Sequence, residues 1–99
     1  MPEVTIVYWR DIPAQVMVRA GRRTVRRALP ARFQEAIDRA AMRAGLAGSD
    51  AYLAAWRRGP AEPCGDDLEA EADRLVEELL RAFDEDRLRE LAARGGRAS

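Results

Sequence analysis

Residues 4–20, VTIVYWRDIPAQVMVRA, decide the fold: two apolar runs separated by Arg10-Asp11-Ile12-Pro13. Residues 3–9 are β-branched and aromatic with neither Gly nor Pro, the composition of a strand. Strand alternation puts Val4, Ile6 and Tyr8 on one face and Thr5, Val7 and Trp9 on the other. In the second run it sets Ala14, Val16 and Val18 against Gln15, Met17 and Arg19. Pro13 fixes its own φ and pushes Ile12 toward extended geometry, while the Asp11 carboxylate suits the amides of a turn. The stretch predicts an antiparallel hairpin with a four-residue connection rather than a two-residue turn. Trp9, Arg10 and Asp11 at its tip exceed what a turn requires.

Outward from the hairpin, Gly21 permits a bend or bulge, and residues 22–29 continue as an arginine-rich edge segment. From Pro30 the period becomes helical. Phe33, Ile37, Ala40, Ala41 and Ala44 share one stripe, Pro30 suits a first turn and Gly45 the position past the end, which predicts a helix over 30–44. Residues 51–58, AYLAAWRR, read two ways. Their alanines and Asp50 suit a short capped helix, whereas the Gly59-Pro60 stop and short length suit a strand with Tyr52 and Trp56 on one face. A strand over 50–58 is the expectation. Asp66 followed by Glu69 has the shape of a capping box, and Leu68, Ala72, Leu75, Val76, Leu79, Leu80 and Phe83 form an apolar stripe. Asp84-Glu85-Asp86 interrupts the stripe and Leu88 and Leu91 resume it. Residues 66–94 therefore predict two acidic helices or one kinked helix, with a frayed tail over 95–99. The expected fold class is α+β, an N-terminal antiparallel hairpin with a third strand packed against three helices on one face, in a single domain spanning 1–99.

Composition fits this architecture. A chain of 99 residues, 47% apolar and 34% charged, supports one core and argues against global disorder. No window approaches a membrane span, no signal pattern opens the chain, and Cys64, the only cysteine, leaves no internal disulfide; a cytoplasmic location is the expectation. The net charge of zero conceals an asymmetry. Residues 1–29 hold six arginines against Glu3 and Asp11, whereas residues 61–99 hold six against twelve acids.

The chain has neither histidine nor lysine. Their absence removes the usual general base, the commonest metal ligand, Schiff-base chemistry and the lysine contact of a phosphate loop. A metal site would rest on carboxylates alone, and Asp66, Asp67, Glu69, Glu71 and Asp73 lack the glycine and terminal Glu of a calcium loop. They suit the favourable end of a helix dipole instead. Cys64 precedes a helix start, where amides lower a thiol pKa, yet it has no histidine to pair with. No catalytic residue, metal or cofactor is expected, and the domain is expected not to be an enzyme.

Two other features carry the candidate sites. Trp9-Arg10-Asp11 and Trp56-Arg57-Arg58 echo one another, each ending an apolar run with tryptophan then arginine. The echo reads either as two indoles capping the sheet or as a protein-contact patch, since Trp, Tyr and Arg dominate such contacts. The basic segment Arg19, Arg22, Arg23, Arg26 and Arg27 reads either as a charge-protected edge strand or as a set of phosphate contacts, with Tyr8, Trp9 and Trp56 as stacking surfaces. The interaction candidates are thus Trp9, Arg10, Asp11, Trp56, Arg57, Arg22, Arg23 and Arg26. A protein partner is expected, with nucleic acid bound through Arg19 to Arg27 as the alternative. A second copy docked on the sheet's other face, at Met17 and Trp9, is a further candidate; no membrane contact is expected.

The stretches VYWRDIPAQVMVRAGRR, ALPARFQEAIDRAAMRAG and DAYLAAWRRG, in this order and spacing, resemble the small proteobacterial proteins grouped as a virulence-factor domain family. The resemblance covers about residues 4–60, and the acidic helices fit the stand-alone members loosely. Similar domains end longer proteins that carry an iron–sulfur-scaffold-like domain and helical repeats. The resemblance implies no catalytic residues. It implies a non-catalytic interaction module, with an accessory role near folate- and corrinoid-dependent methyl transfer.

Overall fold

The period-two pattern of the first twenty residues becomes a hairpin of β1 (Glu3–Trp9) and β2 (Ile12–Ala20) in the computed structural model, which describes residues 1–98. The connection is two residues, not four: Trp9 pairs with Ile12, and only Arg10 and Asp11 turn. Pro13, expected in the connection, lies within β2 opposite Tyr8, beside a register shift between Val7 and Tyr8. An irregular site of this kind tolerates a residue with no N–H. Arg10 adopts φ 52°, so the first turn position is left-handed although it is not glycine.

A second two-residue turn, Gly21-Arg22, leads to β3 (Arg23–Ala28), so the arginine-rich segment is a strand paired along β2. Gly21 has φ 60° and Arg22 has no positive φ. Arg10 and Asp11 repeat that pattern with arginine in the glycine's place.

The expected strand over 50–58 is two elements. Residues Asp50–Ala54 form a short helix α2, and only Trp56–Arg58 form a strand, β4, antiparallel to β1. Ser49, not Asp50, caps α2, its hydroxyl accepting from the Tyr52 N–H at 3.3 Å. A two-residue strand β5 (Glu62–Pro63) pairs with the start of β1. Among the described residues the sheet order is β3-β2-β1-β4, with β5 beside β1.

Helix α1 (Ala31–Arg43) follows β3 as expected, and the acidic third divides into α3 (Leu68–Ala82) and α4 (Glu85–Ala93). Asp67, one residue beyond the expected cap, accepts from the Ala70 N–H at 3.1 Å, while Glu71 reaches back to the Gly65 N–H at 2.6 Å. Helix α3 crosses β2 and β3, α1 packs on β2, and α4 lies mainly on α1. Between these layers Val4, Val16 and Val18 meet Phe33, Ile37, Ala72, Leu79, Leu88 and Leu91 in one core, with no buried charged or polar residue among those described. The helices therefore cover one face of the sheet, as the apolar alternation requires.

Candidate interaction surface

The hairpin tip lies where three parts of the chain meet. The Trp9 indole is completely buried, and its Nε1–H donates to the Tyr52 carbonyl at 3.0 Å. Tyr52 stands between the tryptophans, its ring 5.7 Å from Trp9 and 6.3 Å, edge-on, from Trp56. Arg10 donates its backbone N–H to the Ala55 carbonyl at 3.0 Å and its Nη1 to the Gly95 carbonyl at 2.9 Å, with its guanidinium 5.3 Å from the Trp9 ring. Asp11 donates its N–H to the Gly96 carbonyl at 2.9 Å and accepts from the Ala98 N–H at 2.7 Å. Arg57 closes the set: its Nε donates to the Arg10 carbonyl at 2.9 Å, its Nη2 meets Asp11 Oδ1 at 3.2 Å, and its guanidinium lies 4.5 Å from the Tyr8 ring.

Four sequence candidates, Trp9, Arg10, Asp11 and Arg57, are thus gathered into one internal clamp. Trp9 offers no indole to a partner. The expected frayed tail is also corrected: Gly95 and Gly96 are buried, and residues 95–98 are bonded to the turn, while Ser99 lies outside the described residues. Gly96 cannot be replaced freely. It has φ 90°, and a Cβ there would stand 2.8 Å from Trp9 Cζ3.

The remaining candidates face solvent. Trp56 is half-buried, and register places it with Val7 and Arg58 on the sheet face away from α3. The same face carries Gln15, Met17 and Arg19 of β2 and Thr24, Arg26 and Ala28 of β3. Two shallow hollows lie on it. Val7, Ala14, Gln15, Leu29, Gln34 and Trp56 help line one of about 380 Å³, and Thr5, Met17, Arg19 and Arg58 help line one of about 260 Å³. Arg19, Arg22, Arg23, Arg26 and Arg58 make no ion pair among the described residues. Glu3 stands opposite Arg19 in register as the one acid of this face among the described residues. Arg27 behaves differently: it points to the other side of the sheet and meets Asp73 at 3.2 Å and Glu69 at 3.5 Å on α3.

Sequence reasoning missed Val7 and Gln34 as members of this surface, and named Arg58 only within the Trp56-Arg57-Arg58 echo. Alternation had placed Val7 with Thr5 and Trp9 opposite the core face; what it lacked was the pairing of β4 with β1, which brings Trp56 and Arg58 beside Val7.

Other reactive groups are quiet. Burial, then the nearby Glu71 carboxylate, pushes the Cys64 thiol up from its ordinary value, opposite to the direction that makes a nucleophile. Burial likewise raises Tyr8, with Arg57 opposing. Among the described residues no three His, Cys, Asp or Glu side chains gather as metal ligands, and no helix is long and apolar enough to cross a membrane.

Fold and surface together define a small α+β domain whose antiparallel sheet is covered by helices on one face and left open on the other, except at the Trp9 end. The family model for the virulence factor domain matches residues 7–92, and the chain belongs to that family. The match runs through both acidic helices, beyond the limit near residue 60 that the sequence resemblance suggested. No curated protein and no solved structure matches the chain.

Proposed function

We propose that this virulence-factor domain is a non-catalytic accessory module that binds a protein partner through the open face of its sheet. One observation carries the reading: partly exposed Trp56 and Val7, with Met17 buried beside them, lie among Arg19, Arg26 and Arg58, none of which forms an ion pair within the described residues. An aromatic anchor ringed by arginine is the composition of protein contact sites, and unpaired guanidinium groups select a partner surface rich in carboxylates. The absence of histidine and lysine from the sequence supports the non-catalytic part. The clamp at Trp9, Arg10, Asp11 and Arg57 serves by fixing the β1–β4 edge on which Trp56 sits. A cytoplasmic partner in folate- or corrinoid-dependent methyl transfer is the extension of this reading that the family resemblance suggests.

Nucleic acid is the second reading, favoured by the same unpaired arginines. Stacking of successive bases needs several exposed rings, however, and this face offers only Trp56, since Trp9 is buried and Tyr8 points to the helix side. The test is affinity capture from native cells followed by binding with purified components. Trp56→Ala, or Arg26→Glu with Arg58→Glu, is expected to weaken the complex at least about tenfold, whereas Glu77→Lys on the far helix leaves it unchanged. Affinity indifferent to all these changes rejects the reading, and salt-dependent binding of a single-stranded oligonucleotide lost in the same variants replaces it with the second.

A further inference from the structure

The two sides of the sheet are finished differently. Beyond β1, the edge is occupied by β4 and β5; beyond β2, β3 is the outermost strand and nothing pairs with it among the described residues. The Leu29 N–H donates to the Ala14 carbonyl at 3.1 Å, and that pair continues the β2–β3 register. Antiparallel hydrogen-bonded pairs recur at every second residue. Backbone groups of Arg23, Val25 and Arg27 therefore face β2, and the N–H groups of Thr24, Arg26 and Ala28 point outward to solvent. The Arg26 carbonyl is already taken by the Arg27 guanidinium at 3.1 Å, so this edge offers more donors than acceptors.

We propose that β3 is an acceptor edge for an extended, acidic segment of a partner protein, which adds to the sheet as a further strand. The inference concerns the edge and holds whatever the open face binds. Charge selects the occupant. Arg22, Arg23 and Arg26 are exposed and without ion pairs among the described residues, so a second copy of β3 would bring like charges together, whereas carboxylates would be attracted. The two faces of the added strand also differ. Residues opposite Thr24, Arg26 and Ala28 lie on the open face, where acids meet Arg26. Residues opposite Val25 and Arg27 lie on the α3 side, where Glu69 and Asp73 already engage Arg27 and apolar or neutral side chains fit. The partner segment thus alternates acidic with apolar residues. Backbone bonds supply attachment and alternate side chains supply selectivity.

The test uses the full chain and a labelled peptide alternating Glu with Val, as long as the six-residue β3. Saturable binding is expected, with amides of Thr24, Arg26 and Ala28 becoming slow to exchange on addition of peptide. Amides of Val25 and Arg27 are slow throughout and report that the sheet stays folded. N-methylation of the peptide residues whose N–H groups face β3 leaves its charge unchanged and is expected to weaken binding at least about tenfold, as is Arg26→Glu. A peptide with Lys in place of Glu is expected not to bind. Absence of binding, equal binding by the N-methylated peptide, or exchange protection confined to other residues overturns the proposal. So does protection of the same three amides by self-association of the chain without peptide.

Discussion

Arg10 holds the left-handed angle that Gly21 holds at the corresponding position of the next turn. For a residue with a Cβ that angle costs about 1–2 kcal/mol, and it persists because the Arg10 N–H, carbonyl and guanidinium are bonded to Ala55, Arg57 and Gly95 respectively. Arg10→Ala keeps the strained angle and loses the guanidinium contacts; Arg10→Gly loses the contacts but relieves the angle. The alanine variant is accordingly expected to be less stable than the glycine variant by about 1 kcal/mol in urea unfolding. Gly96→Ala meets both penalties at once, a left-handed φ and a Cβ against the Trp9 ring, and is expected to cost about 2 kcal/mol or more by the same measurement. Composition marked Trp9, Arg10 and Asp11 as exceptional, but not in what way. The feature that explains them is a backbone angle stabilised by residues some eighty-five positions away, which no local pattern encodes.

Among elements, α2 and β4 show where periodicity fails. An eight-residue run of alanine, leucine, aromatic and arginine side chains satisfies both periods, and the choice is made by the Ser49 hydroxyl and by the Tyr52 carbonyl that the Trp9 indole requires. Ser49→Ala is expected to cost about 0.5–2 kcal/mol in urea unfolding, the range for losing a helix cap. The longer elements were legible because their patterns extend over many residues: β1 and β2 by alternation, α1 and α3 by stripes ending at proline, glycine or capping acids. At the start of α3 two adjacent aspartates competed for the cap, and Glu71 decided for Asp67 by bonding Gly65 behind it. Arg74 and the Gly65 N–H hold the Glu71 carboxyl below the ordinary carboxylate range. A pKa lowered by folding means that the stabilisation is present above the unfolded-state pKa and disappears as pH falls through the folded one. Glu71→Gln is therefore expected to be less stable than the parent chain at neutral pH and to converge with it as the pH falls through the lowered folded-state pKa of Glu71, as followed by denaturation at each pH.

At the scale of the molecule, the charge asymmetry read from the sequence becomes spatial: acids collect on α3 and α4, arginines on the open face and on β3. Arg27 alone in the basic segment crosses to the acids of α3 among the described residues. The half-covered sheet was foreseeable from alternation, but which tryptophan lies inside it was not. Trp9 and Trp56 share a face and both touch Tyr52 of α2, and the difference between them is made by Gly96 and its neighbours, which close over Trp9. Deleting residues 95–99 is expected to shift Trp9 fluorescence to longer wavelength and to lower the unfolding midpoint, because the clamp loses its bonds to Gly95, Gly96 and Ala98. The same clamp also bears on synthesis. A chain leaves the ribosome N-terminus first, at about 5–20 residues per second, so the hairpin emerges seconds before the segment that holds its strained turn. Until then Trp9 lacks the cover that Gly96 and its neighbours supply, and the indole that ends up fully buried is still exposed on that side.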